Sequence, residues 1–142
     1  MAMPAERVEQ KPILQTAAQV GEFSQLLQAV DYTGLRELLE SDGPYTIFAP
    51  TDEAFARLSA DGREMLMHDH KDLREMLKYH VVKGIVTSDD LRRLGSVRAL
   101  EGRELSFYQW GEQTTVNGAR IVKPAIWCRN GVIHAIDRFV TP

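Results

Sequence analysis

At 142 residues, with 44% hydrophobic and 26% charged side chains, the chain has the size and composition of one globular domain able to bury roughly two thirds of its unfolded surface. A formal charge of −3 with no run of Lys or Arg excludes the positive stripe that a phosphate backbone demands, so nucleic acid is not an expected partner. The one cysteine, Cys128, rules out an intramolecular disulfide and a thiol-rich metal site, and no stretch approaches the ~20 apolar residues of a membrane span.

Met1–Pro12 is polar with prolines at positions 4 and 12 and reads as a flexible arm, leaving residues 13–142 as the folded domain. Met1–Lys11 lacks the apolar core of a secretory signal, so no signal peptide is visible. From Ile13 to Glu40 apolar residues recur at helical spacing, with Phe23, Leu26, Leu27 and Val30 in one stripe and Leu35, Leu38 and Leu39 in another. Two or three short helices follow from this. Ser41-Asp42-Gly43-Pro44 stops the run. Tyr45–Ala49 is β-prone and ends at Pro50, after which Thr51 caps a helix that begins Asp52-Glu53-Ala54-Phe55.

Asp69–His80 is again helical, with Leu73, Met76, Leu77 and His80 on one face. Val81-Val82 starts an extended segment that Gly84 breaks, and Thr87-Ser88-Asp89-Asp90 has the spacing of a capped helix start. Arg92-Arg93 reads as the solvated end of that helix. Glu104–Trp110 alternates Leu105, Phe107 and Gln109 against Ser106, Tyr108 and Trp110, as a strand with one buried face does. Asn117-Gly118 joins Thr114–Val116 to Ala119–Val122, and Asn130-Gly131 joins Ala125–Cys128 to Val132–Ile136; both are hairpin signals. Helices first and strands later predict an α+β fold.

Three of these segments resemble the fasciclin domain family. Tyr45–Phe55 resembles its first block, a strand running through Ala-Pro-Thr-Asp into a helix. Leu77-Lys78-Tyr79-His80-Val81-Val82 resembles its central Tyr-His block, and Asn130–Asp137 followed by Pro142 its closing block. The resemblance implies a two-sheet β wedge or sandwich with a cluster of N-terminal helices. It also implies a non-catalytic module for cell adhesion, secreted, periplasmic or at the cell surface, that binds a protein or matrix partner. The expectation is a monomer without cofactor. The alternative is a soluble carrier that holds an apolar ligand in the same fold.

Complete catalytic or metal sets are not apparent. No Gly-x-Ser-x-Gly elbow accompanies the Ser, His and Asp residues, so an enzyme is not expected. Met67-His68-Asp69-His70-Lys71-Asp72 carries ligating side chains, but His68 and His70 fall on different helix faces and lack further ligands at zinc spacing. Cys128, in an apolar strand, is expected to be a small buried hydrophobe. Trp127, Trp110 and Tyr108 are candidates for a ligand groove, against a reading as core or cross-strand pairs. The glycines do not assemble a phosphate loop.

The resemblance assigns structural positions to Thr51, Asp52, His80, His134 and Asp137, and partner contact to Tyr79 and His80, because a Tyr-His motif is assigned to cell attachment in vertebrate relatives. An Asp-Ile pair of those relatives falls on Ala125-Ile126 here, so integrin recognition through that carboxylate is not expected. The helical stripe turns His80 inward, where its imidazole needs a hydrogen-bond partner from Asp52, Thr51 or His134. Tyr79, off the centre of the stripe, is expected to face the partner.

Overall fold

The computed structural model describes residues 11–41, 43–58, 61, 64 and 70–140. Helices α1 (Ile13–Val20), α2 (Ser24–Thr33) and α3 (Arg36–Glu40) lead into strand β1 (Tyr45–Pro50) and the short helix α4 (Asp52–Ala56). Further along, α5 (His70–Tyr79) runs into β2 (Val81–Lys83), followed by α6 (Ser88–Arg93) and β3 (Ser96–Arg98). Strands β4 (Glu104–Trp110), β5 (Gln113–Val116), β6 (Ala119–Cys128) and β7 (Gly131–Ile136) complete the order. The class is α+β, but the expected order of helices first and strands later holds only in part, because α4 to α6 are interleaved with β1 to β3.

The seven strands form one hydrogen-bonded sheet in the order β2-β1-β7-β6-β5-β4-β3. Its second and third strands, β1 and β7, are parallel, and the other neighbours are antiparallel. Just beyond β3 the Leu100 N–H donates to the Val81 carbonyl of β2 at 2.8 Å. The two ends of the sheet therefore meet, and the expected wedge is one sheet curled toward a barrel. Its ladder is interrupted in β6, where the register against β7 shifts between Ile121 and Lys123 and again before Ile126. Pro124 supplies no N–H to the ladder there, and Ala125 has φ +56°, a bulge that turns the strand.

Burial follows from this curl. All six residues of β1 and all six of β7 are buried, which explains why Tyr-Thr-Ile-Phe-Ala and Val-Ile-His-Ala-Ile show no alternation: parallel strands covered on both faces lose it. On one side Tyr45, Ile47, Ala49, Ile133 and Ala135 pack with the residues of α1 to α3 and with Leu73 and Leu77 of α5. On the other side Phe48 and Ile136 meet Leu105, Phe107, Val116 and Ile121. Each such fully buried side chain contributes about 1.5–3 kcal/mol, so the fold rests on two cores that share the same pair of strands.

Local chemistry fixes the turns. Asn117 and Gly118 have φ of +49° and +89°, the left-handed pair that a two-residue hairpin needs. The second hairpin corrects the expected turn by one residue: Cys128 pairs with Gly131, so the loop is Arg129-Asn130 and Gly131 belongs to β7. Gly131 is required for space instead, because a Cβ there would lie 1.9 Å from the Tyr45 carbonyl oxygen and 2.6 Å from Ile13 Cδ1. The expected arm also ends early. The Lys11 carbonyl accepts the Arg129 N–H at 2.8 Å and the Thr16 hydroxyl at 3.0 Å, while residues 1–10 lie outside the described residues.

Candidate functional site

His80 stands one residue past α5, and the helical stripe carries it inward as expected; it is 1% exposed. Its hydrogen bonds are not to Asp52, Thr51 or His134. Nδ1–H donates to the Met76 carbonyl at 2.8 Å, and Nε2 accepts the Val140 N–H at 3.1 Å. That pair of partners requires the neutral ring, and burial pushes its pKa down to about 4. Phe139 meets the ring edge-on at 5.5 Å. The imidazole thus ties the end of α5 to the C-terminal segment.

Tyr79 does not face outward. It is 1% exposed because the sheet has two buried faces, so a residue that leaves the helical stripe at the end of α5 enters the second core. Its hydroxyl donates to the Glu104 carbonyl and accepts from Asn117 Nδ2 at 2.8 Å. Asn117 Oδ1 in turn accepts the Ser106 N–H at 2.7 Å. Tyr79 therefore anchors α5 to β4 and to the β5–β6 turn, and its ring offers no surface to a partner.

His134 mirrors His80 on the other side of the sheet. Nε2–H donates to the Val86 carbonyl at 2.7 Å and Nδ1 accepts the Ala125 N–H at 3.0 Å, so the imidazole holds the bulge of β6 in place. Phe48 stacks on it at 5.5 Å. Burial lowers its pKa as well, with the Val86 bond acting in opposition. Each histidine spends both ring nitrogens on the backbone, and neither keeps a free lone pair for a proton or a metal.

Thr51 caps α4, its Oγ1 accepting the Ala54 N–H at 3.2 Å. Asp52, in the first turn of α4, sends its carboxylate to a different helix: Oδ1 accepts the Gln25 N–H and Oδ2 the Ser24 hydroxyl, each at 2.8 Å. It caps α2 from a distance, a contact between separate elements that sequence spacing does not encode. Asp137 accepts the Arg120 N–H at 2.9 Å and returns its own N–H to the Arg120 carbonyl at 3.1 Å. These signature positions hold elements together and do not converge on a reaction centre.

Asn130 carries a role beyond its turn. Its Oδ1 accepts the Ile13 N–H at 2.9 Å, and its Nδ2 donates to the Leu39 and Ser41 carbonyls at 3.0 and 2.8 Å. It thereby closes the start of α1 and the end of α3. Cys128 is buried, and burial pushes its thiol up to about 11, which makes it a hydrophobe at neutral pH. Met67-His68-Asp69 lies outside the described residues; among those described, no three metal-ligating side chains gather, and no helix is long and apolar enough to cross a membrane.

Among the described residues the most exposed large apolar side chains lie on β4 and β6. Tyr108 and Trp110 are 63% and 78% exposed, and Val122 is 50% exposed. Tyr108 lies opposite Thr115, which lies opposite Arg120, and Trp110 lies opposite Gln113. Val122, two residues past Arg120 in β6, is exposed beside the register shift of that strand. The two aromatics stand out from the sheet and so do not wall a groove. Trp127, past the bulge and opposite Val132, is 47% exposed.

A family model described as the fasciclin domain matches residues 21–142. Protein sll1483 of Synechocystis sp. is 39% identical over 132 residues, which cover 92% of this chain and 73% of that protein. Transforming growth factor-beta-induced protein ig-h3 of Sus scrofa is 37% identical over 120 residues, 84% of this chain but 18% of that one. In structure the chain is similar to a FAS1 domain pair from the insect cell adhesion molecule fasciclin I, with a TM-score of 0.79 at 14% identity, covering 93% of this chain and 51% of that one.

Proposed function

The chain belongs to the fasciclin domain family, and on that premise we propose that it is a non-catalytic adhesion module, exported or displayed at a cell surface, that binds a protein or matrix partner. The observation that carries this reading is the outward strip of Tyr108, Trp110 and Val122 on an otherwise hydrogen-bonding sheet face with Gln113, Thr115 and Arg120. Aromatic rings bordered by an arginine are enriched where protein interfaces have their energetic centres, and leaving them in water has no folding benefit. The two engaged histidines support the absence of catalysis, since a general base needs a free nitrogen.

The carrier alternative finds less support among the described residues. The apolar cavity between α1, α2 and β1 measures about 20 Å³, room for one water, whereas ligand pockets run to roughly 300–1,000 Å³.

Attachment of the source organism's cells to surfaces coated with the full chain tests the reading. The wild-type chain should retain them, and the double variant Tyr108→Ser/Trp110→Ser should retain about tenfold fewer with unchanged folding. Equal retention by both would remove the strip from this role.

A further inference from the structure

Between α6 and the turn joining β4 to β5 lies an open cleft of about 200 Å³. Its lining is apolar at Leu91 of α6 and Ile121 of β6, 4% and 8% exposed, and at Pro124, and polar at Ser88, Gln113 and Thr114. One wall is α6, contributing Arg92. The other is the β4–β5 turn, contributing Glu112. Neither charge has an ion pair or hydrogen bond among the described residues, whereas their neighbours are engaged: Arg93 with Asp90, and Arg120 with Gln113 at 3.4 Å.

The walls are held independently of any ligand. The capping box of Thr87 and Asp90 fixes the start of α6. The Gln113 amide donates to the Thr114 and Ile121 carbonyls at 3.1 and 3.2 Å, which pins the β4–β5 turn to β6. A cation and an anion thus border one cleft without meeting each other, beside an aliphatic patch. That arrangement complements a molecule that is positive at one end, negative at the other and apolar between or beside them.

We propose that this cleft binds a free zwitterionic amino acid with an aliphatic side chain. The Arg92 guanidinium receives the carboxylate through its planar fork, Glu112 receives the ammonium, and Leu91, Ile121 and Pro124 receive the side chain. The volume falls below the ~300 Å³ lower bound of drug-sized pockets, which limits the occupant to about this size. Both charges are solvent-exposed, so each contact is weak and the dissociation constant is on the order of 1 mM. The cleft adjoins the face of the Tyr108–Trp110 strip at Gln113, which lines it, but Arg92 and Glu112 lie outside that strip, and the site stands whether or not the strip mediates attachment.

Titration of the full chain with L-leucine, followed by amide ¹⁵N–¹H NMR, tests it. Saturable shifts are expected in α6 and the β4–β5 turn. Arg92→Gln and Glu112→Gln should each weaken binding about fivefold, as should replacing leucine by leucinamide, which lacks the carboxylate, or by N-acetyl-leucine, which lacks the ammonium. Absence of saturable shifts would overturn the proposal. So would equal binding of either blocked leucine or of glucose, or unchanged leucine affinity in the Arg92→Gln/Glu112→Gln double variant.

Discussion

The two halves of the sheet are built to opposite ends. β1 and β7 are buried on both faces and carry or contact most of the family's signature positions, whose polar side chains are engaged: Thr51 caps a helix, Asp52 caps another, and His80 and His134 each hold two backbone partners. β4, β5 and the first part of β6 are buried on one face, and on the other they leave Tyr108 and Trp110 in solvent. The difference teaches that the residues by which the family is recognised in sequence are those that specify its fold. The strip proposed to face a partner sits where the signature is silent.

The largest effect on this contrast is expected at Gly131. Gly131→Ala forces a Cβ into the Tyr45 carbonyl and should cost 3 kcal/mol or more, roughly the upper end of overpacking penalties, read as a loss of urea midpoint. A small change would mean that β1 and β7 separate easily. Next, His80→Ala removes the donor to Met76 and the acceptor from Val140 and leaves a void, for about 2–4 kcal/mol.

Acid should act on the same half. The unfolded His80 titrates near 6.5, and the folded one at about 4, so between these values the unfolded state binds more protons and stability falls as pH falls. From pH 7 to pH 5 the loss from His80 is about 2 kcal/mol; His134, also lowered, adds to it with the same sign. Urea unfolding across that range checks this, and His80→Gln should flatten the slope. Thr51→Ala, which removes one cap, should cost about 1 kcal/mol. Tyr108→Ser/Trp110→Ser, on the free face, should change stability by less than ~0.5 kcal/mol.

Much of the fold is legible in the sequence because its signals are local. The Leu73, Leu77, His80 stripe, the capping box at Thr87 and the Asn117-Gly118 turn each depend on a few adjacent residues, and each has the geometry the sequence suggests. What was not legible depends on docking between distant elements. Asp52 reaches back to Gln25, Asn130 to Ile13 and Leu39, and Tyr79 across to Asn117; no spacing rule encodes those meetings. β6 reads as two segments broken at Pro124, because only the fold shows that His134 takes the N–H of Ala125 and keeps one strand running through the bulge. Tyr79 was assigned to solvent because a helical stripe reveals one buried face, and this helix ends between two cores.

The measurement that separates the halves most directly is cell attachment by two folded variants side by side. Tyr79→Phe removes the hydroxyl from the Glu104 and Asn117 bonds, whereas Tyr108→Ser/Trp110→Ser strips the outer face. The expected result is that Tyr79→Phe loses stability but attaches like the wild type, and that the strip variant keeps its stability and loses attachment; the reverse pattern, attachment lost with Tyr79→Phe and kept without the strip, would contradict the account.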